Sequence, residues 1–198
     1  MPIEHFGRST VPPIPPRVYL DTSFVMRCYF ARVMPPGIST GEQAKNATCN
    51  RFLAHLNVSA IHLSMLTVEE GMHTAYFKTH ILRMTRLMGF DVKWKEFRKQ
   101  RPMDFQNART QGLQEVERFG AFLDALPINF IDSNSYIQRT NSISFAIKYA
   151  GLVMEKYNTV EVMDTFHVAL MRLNRIDWFV TAEQNLGAGF DEFSVLTL

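Results

Sequence analysis

A short apolar run that stops on an acid and turns at once into a helix constrains this chain most. Arg17-Val-Tyr-Leu20 reads as a strand, Asp21-Thr22-Ser23 breaks it, and helix-like sequence begins at Phe24. The pattern recurs. Ser59–Ser64 alternates apolar and polar residues, with Ile61 and Leu63 pointing the same way, and Trp178-Phe-Val180 runs into Thr181-Ala182-Glu183. Pro127-Ile-Asn-Phe-Ile-Asp132 and Phe193–Leu198 read as two more strands. Helical stretches fill the gaps. One spans Phe24–Val33 and stops at Met34-Pro-Pro-Gly37, and one spans Gly41–Leu56 with Ala47, Phe52, Leu53 and Leu56 inward. Another follows Thr67, an N-cap candidate at capping-box spacing from Glu70, and ends at Gly89. A further helix runs to about Ala125. Ile143, Ile147, Ala150, Met154 and Tyr157 mark one helix face, and Val162, Phe166, Ala169, Leu170 and Leu173 mark the next. Strands alternating with helices predict an α/β domain with a parallel sheet.

Length and composition set the frame. A chain of 198 residues has one domain as its prior. Residues 1–16 hold five of the nine prolines and read as an extended arm over the surface, leaving 17–198 as a single domain with a polar and basic elaboration around 90–118. With 46% hydrophobic and 20% charged residues, the chain is neither disordered nor a coiled coil. Cys28 and Cys49 lie outside any C-x-x-C pair, so neither a disulfide framework nor a thiolate metal site is expected; buried, reduced thiols are. No apolar run approaches roughly 18 residues, so no membrane span is expected. With no signal-peptide pattern at the N-terminus, the cytoplasm is the default address. A net charge of +2 announces no nucleic-acid binder, so that reading must rest on local patches.

Four carboxylates stand at strand–helix junctions. Asp21 and Glu183 follow strands directly, while Glu70 and Asp164 fall in first turns of helices, where the dipole tolerates negative charge. The crevice beyond the carboxyl ends of the strands is where open α/β sheets bind ligands. Clustered carboxylates repel unless a cation neutralises them. Mg²⁺ and Mn²⁺ take such oxygen ligands, and two-metal sites stabilise both the attacking and the leaving oxygen of a phosphoryl displacement. Each acid alone has a plainer reading: Asp21 as a helix cap, Glu70 as half a capping box, Asp164 as a dipole residue, Glu183 as a surface loop residue.

The ordered set resembles the PIN domain, a family of metal-dependent nucleases. Leu20-Asp21-Thr22-Ser23 is similar to its opening motif. Ser64-Met-Leu-Thr67-Val-Glu69-Glu70 is similar to its S-x-x-T-x-x-E motif, and Asp164-Thr-Phe-His167-Val-Ala169 to D-A-x-H-x-A. Val180-Thr181-Ala182-Glu183 takes the place of T-x-D, with a glutamate one methylene longer than the family's aspartate. The resemblance covers residues 17 to 198. It implies a three-layer α/β/α fold with a five-stranded parallel sheet in the order 3-2-1-4-5, with Asp21 and Glu183 at its switch point. It implies a Mg²⁺- or Mn²⁺-dependent endoribonuclease cutting single-stranded RNA, with Asp21, Glu70, Asp164 and Glu183 as catalytic metal ligands. Many family members are toxins of bacterial toxin–antitoxin modules (VapC-type), which adds an antitoxin protein and a homodimer as expected partners. Compact toxin members are shorter than this chain; the extra length lies in the arm and in Phe90–Arg118.

Other residues carry paired readings. Thr22, Ser23 and Thr181 suit hydrogen bonds to the carboxylates or to water, or serve as caps and turn residues. His167, one helical turn after Asp164, suits substrate contact or a packed, hydrogen-bonded core role. Glu69 points about 100° away from Glu70 on a helix, toward solvent. Lys93, Lys95 and Arg98, interleaved with Trp94 and Phe97, suit an RNA grip, or a solvated helix face with apolar anchors. Met65, Met72, Met84 and Met88 read as core or a dimer surface. Two other functions stay open: a PIN-like module with a damaged site that binds RNA or protein, and a di-iron carboxylate helical protein built on Glu70-x-x-His73 and Asp164-x-x-His167.

Overall fold

Strand-forming sequence and sheet position coincide in the computed structural model, which describes residues 4–5, 15–35, 37–56, 60–131, 151, 162–183 and 194–197. The helix expected over 143–157 lies outside them. Six strands form one sheet among the described residues: β1 (Glu4–His5), β2 (Arg17–Leu20), β3 (Ala60–Ser64), β4 (Ile128–Ile131), β5 (Trp178–Thr181) and β6 (Ser194–Thr197). Their order is β1-β6-β5-β2-β3-β4 and every pairing is parallel. Leaving aside β1, the five long strands follow the expected 3-2-1-4-5 order. The N-terminal arm is thus partly sheet: its Glu4–His5 pairs with Leu196–Thr197 at one edge.

β2 lies at the centre, where both faces of a parallel sheet are covered, and Val18, Tyr19 and Leu20 are wholly buried. Connections from β2 run to β3 and β4 on one side, while β5 and β6 lie on the other. The switch point therefore falls between β2 and β5, in the register Tyr19↔Phe179 and Leu20↔Val180.

The chain divides into two compact units, Met1–Val68 with Pro127–Leu198, and Glu69–Leu126. In the first, α1 (Thr22–Val33) starts two residues before the expected Phe24, because the Asp21 side chain caps it by accepting from the Ser23 N–H. It stops at Met34, which turns left-handed at φ 44° just before Pro35. Ser39 caps α2 (Thr40–His55), and Arg27 ties α1 to α2 through Glu42 at 2.7 Å and Asn46 at 3.2 Å. The Arg27 guanidinium holds the Glu42 carboxyl below its usual range. Phe24 meets Phe52 edge-on at 6.0 Å in the core between them. Both cysteines are free and buried; burial raises the Cys28 thiol and pushes Cys49 up to about 11. The last described helix is α7 (Val162–Leu173).

The second unit is the β3–β4 crossover grown into a body of its own, longer than the expected elaboration. The helix α3 (Met65–His73) leads into it, followed by a π-helical stretch (Thr74–Leu82), α4 (Arg83–Leu87), α5 (Trp94–Gln100) and α6 (Pro102–Asp124). Gly89 at φ 81° ends α4 as expected. The π-helical stretch packs along α6, where Gly112 makes room for it, and Gly71 of α3 makes room for the Phe119 ring of α6. A Cβ on Gly71 would run into the buried Phe119 ring, and one on Gly112 would sit 2.8 Å from Tyr76 Cδ2 and 3.0 Å from the Tyr76 carbonyl oxygen. Met65, Met72 and Met88 are exposed and belong to no core. No helix among the described residues is long and apolar enough to cross a membrane.

Alanine in place of a helical glycine gains about 1 kcal/mol of helix propensity, whereas overpacking costs about 1–3 kcal/mol. Gly112→Ala and Gly71→Ala are therefore expected to lose stability in urea unfolding. Gly120→Ala, whose Cβ meets nothing within 4 Å, is expected to gain it. Equal gains at all three positions would contradict the close approach.

Two histidines set an acid limit. Burial, the largest cause, pulls His80 below its ordinary 6.5, with Arg83 and Arg118 adding to the shift and Glu115, 3.6 Å away, opposing it. His62 is also lowered, first by burial; Arg17 adds to the shift and the Val18 carbonyl opposes it. A depressed folded pKa means that the unfolded chain takes up the proton first as pH falls. Stability present at neutral pH is then lost below about 6.5. The expected result is a Tm that drops on acidification through this window, less steeply in His80→Gln; a Tm that rises would contradict it.

Candidate active site

The end of β2 builds an asymmetric carboxylate. The Asp21 N–H donates to the Val180 carbonyl at 2.9 Å, so the ladder with β5 extends one residue beyond the apolar run. This fixes the Asp21 backbone beside Thr181, and the side chain is buried with only 6% exposure. Its Oδ2 accepts from Ser23 Oγ at 2.5 Å, Thr181 Oγ1 at 2.9 Å and the Ser23 N–H at 3.3 Å. Oδ1 accepts from none of the described residues, yet it is not sealed away: among them the one buried, unpartnered side-chain polar atom is His80 Nε2. One oxygen is held and the other is left open.

The two hydroxyls are themselves oriented. Ser23 Oγ accepts from the Ala182 N–H at 3.1 Å, and Thr181 Oγ1 accepts from the Glu183 N–H at 3.1 Å. Each hydroxyl has one proton, and Asp21 takes both, so the 3.1 Å approach of Ser23 Oγ to Thr181 Oγ1 needs no bond of its own. Thr22, expected in the same role, is the buried first residue of α1, and the side-chain bonds to Asp21 come from Ser23 and Thr181.

A second polar cluster is fully inside. Tyr19 Oη lies 2.6 Å from Ser64 Oγ, 3.1 Å from Thr67 Oγ1 and 2.5 Å from His167 Nδ1. All four residues are essentially inaccessible, so their polar groups satisfy one another. A phenol has one proton and two lone pairs, and three partners saturate it. Tyr19 also stacks on Phe179 at 5.9 Å and 9°. Thr67 is therefore not a cap. β3 passes into α3 without a loop, Ser64 Oγ takes the Thr67 N–H at 3.4 Å, and the Thr67 side chain turns to Tyr19. His167 takes the packed, hydrogen-bonded alternative and is 1% exposed. Tyr19, the centre of this cluster, is the residue missed from the sequence; its signal is a phenol in the middle of a buried strand, which must find a partner.

Three further acids are expected at the same site. Asp164 is half-buried in the first turn of α7, Glu183 is exposed and joins the Asp21 cradle through its backbone, and Glu70 is half-buried on α3 in the second unit, beside exposed Glu69. Among the described residues no three His, Cys, Asp or Glu side chains form a metal-holding group. The di-iron reading fails on the fold: a parallel sheet replaces the helix bundle, His73 is exposed and stacked on Phe77 at 5.2 Å, and His167 lies buried with Nδ1 on Tyr19. Of the basic residues, Lys93 and Lys95 are exposed at the start of α5, with Lys95 Nζ 5.7 Å over Trp94, and Arg98 lies 5.8 Å over Phe105.

Tyr19→Phe leaves Ser64, Thr67 and His167 without their common partner, an expected loss of about 1–3 kcal/mol in denaturant unfolding. A variant as stable as the parent would show that the cluster has no net value. No family model matches this chain, and no curated protein matches it.

Proposed function

We propose that this chain is a metal-dependent endoribonuclease of PIN-like three-layer architecture acting on single-stranded RNA, with Asp21 as its principal metal ligand. The Asp21 carboxylate carries the reading: it is buried at the switch point, pinned through Oδ2 and open at Oδ1. An oxygen held by two hydroxyls and a second left accessible suit a hard divalent cation in donor chemistry. Mg²⁺ is commonly held by one or two carboxylates together with substrate phosphate, so a three-acid cage is not required. Glu70, Asp164 and Glu183 are the further acids assigned to it. When bound, Mg²⁺ or Mn²⁺ supplies charge stabilisation at the phosphate and activation of water. The chain's own part is to fix the ligand: Ser23 and Thr181 hold Asp21 in one rotamer, and the Ala182 and Glu183 N–H groups hold those hydroxyls in turn. The toxin of a toxin–antitoxin module is the narrower form of the same proposal.

A second reading, a PIN-like module that binds RNA or protein without cutting, rests on Glu183 standing where the family it resembles has an aspartate.

Asp21→Asn separates the two. Asparagine caps helices as well as aspartate does, so the variant is expected to fold with stability within about 1 kcal/mol of the parent. The parent is expected to bind Mn²⁺ in calorimetry and to cut labelled single-stranded RNA, and Asp21→Asn to lose both. Parent protein that binds RNA without taking up Mn²⁺ or cutting would establish the binding module. Cleavage undiminished in Asp21→Asn would remove Asp21 from the site.

A further inference from the structure

The second unit holds a cavity of about 570 Å³ that no step above uses, lined by Tyr76, Phe77 and Ile81 of the π-helical stretch and by Trp94, Arg98, Pro102, Phe105, Gln106 and Arg109 of α5 and α6. Its size suits a small organic group. Its chemistry is unusually specific. Trp94 and Phe105 stack at 6.4 Å and 18°, and Phe77 meets Trp94 edge-on at 5.9 Å, giving a continuous π wall. The Arg98 guanidinium lies 5.8 Å over Phe105 and is thereby held at the wall. Arg98 and Arg109 are exposed, and neither pairs with a carboxylate among the described residues. The π-helical stretch itself is a rare backbone form, frequent at functional sites.

The geometry points to a subsite for one nucleotide of a single strand, its base against Phe77, Trp94 and Phe105 and its phosphate on Arg98 and Arg109. Aromatic faces hold any base, and two unneutralised guanidinium groups select the anionic backbone rather than a neutral aromatic ligand. A polar amide, Gln106, at the same wall adds a donor and an acceptor for a base edge. The assignment rests on the reading of RNA as substrate, and it puts strand recognition in residues other than the metal ligands. Of the basic residues singled out in the sequence, Arg98 belongs to this subsite; Arg109, Phe105 and Tyr76 complete it.

Binding in EDTA tests this without any cleavage. A short labelled single-stranded RNA is titrated with the parent and with Arg98→Ala/Arg109→Ala, both at exposed positions, while anisotropy is followed, and Trp94 fluorescence is followed in a Trp178→Phe background. Trp94 quenching is expected on binding. The double variant is expected to bind roughly tenfold or more weakly, with a salt slope shallower by roughly 1.4, the value for two lost phosphate contacts on a single strand. Arg98→Lys/Arg109→Lys is expected to recover that slope. Equal affinity and slope in parent and double alanine variant overturn the subsite, as does a parent that binds no RNA. Quenching by AMP alone, without RNA binding, overturns the single-strand assignment. Loss of cleavage with intact binding would count against the nuclease reading and not against this one.

Discussion

The hydrogen bond from the Asp21 N–H to the Val180 carbonyl is the rung on which the candidate chemistry depends. It is the last step of the β2–β5 ladder, at the point where the sheet's connections part to either side. Because it lies one residue beyond the apolar run, the backbone there is still paired in the ladder while the side chain is already polar. Asp21, Ser23, Thr181 and Ala182 are thus brought together by main-chain pairing, and their hydroxyl–carboxylate bonds follow from that placement. A slip of one residue in the β2–β5 register would turn Tyr19 and Asp21, two residues apart, together to the other face. Both polar clusters would be lost together.

Asp21 works as helix cap and as candidate ligand, and these roles do not compete, because they use different oxygens. The Ser23 N–H and both hydroxyls converge on Oδ2. Capping therefore orients the carboxylate and leaves Oδ1 free for another partner. The plainer reading of this residue and the functional one are both satisfied by a single geometry, and that is why sequence could not choose between them. The buried Tyr19 cluster does related work one residue pair further in: it ties β2, β3, α3 and α7 through hydroxyls and an imidazole, which are directional where apolar packing is not.

What the sequence made legible was local. The change from Leu20 to Asp21, the change from Val180 to Thr181, the Pro35 stop and the Gly89 turn each depend on residues within one turn, and each of these boundaries falls within two residues of its expected place. What it concealed was set by distant partners. Thr67 has the spacing of a cap, but a hydroxyl 48 residues away claims its side chain, and His167 is claimed from 148 residues away. Gly71 and Gly112 are ordinary helix-weakening glycines until Phe119 and Tyr76 arrive. The Glu4–His5 strand is too short to carry a pattern, and its pairing with β6 supplies the strand character that its own residues lack.

The position of the inserted unit has a physical reason. Parallel neighbours require a crossover, and β3 and β4 are joined by the stretch that holds Glu69–Leu126. Lengthening a crossover costs only the slowly growing entropy of loop closure, whereas an insertion within a strand would break the ladder. A body of this size can then carry its own core, centred on Phe97 and Phe119, and its own surface chemistry. Trp94, Phe105, Arg98 and Arg109 are positioned within the second unit, by α5, α6 and the π-helical stretch, and none of them belongs to the β2–β5 ladder. The proposed strand subsite and the Asp21 carboxylate are thereby specified by separate packing constraints, so each can be altered by its own substitutions.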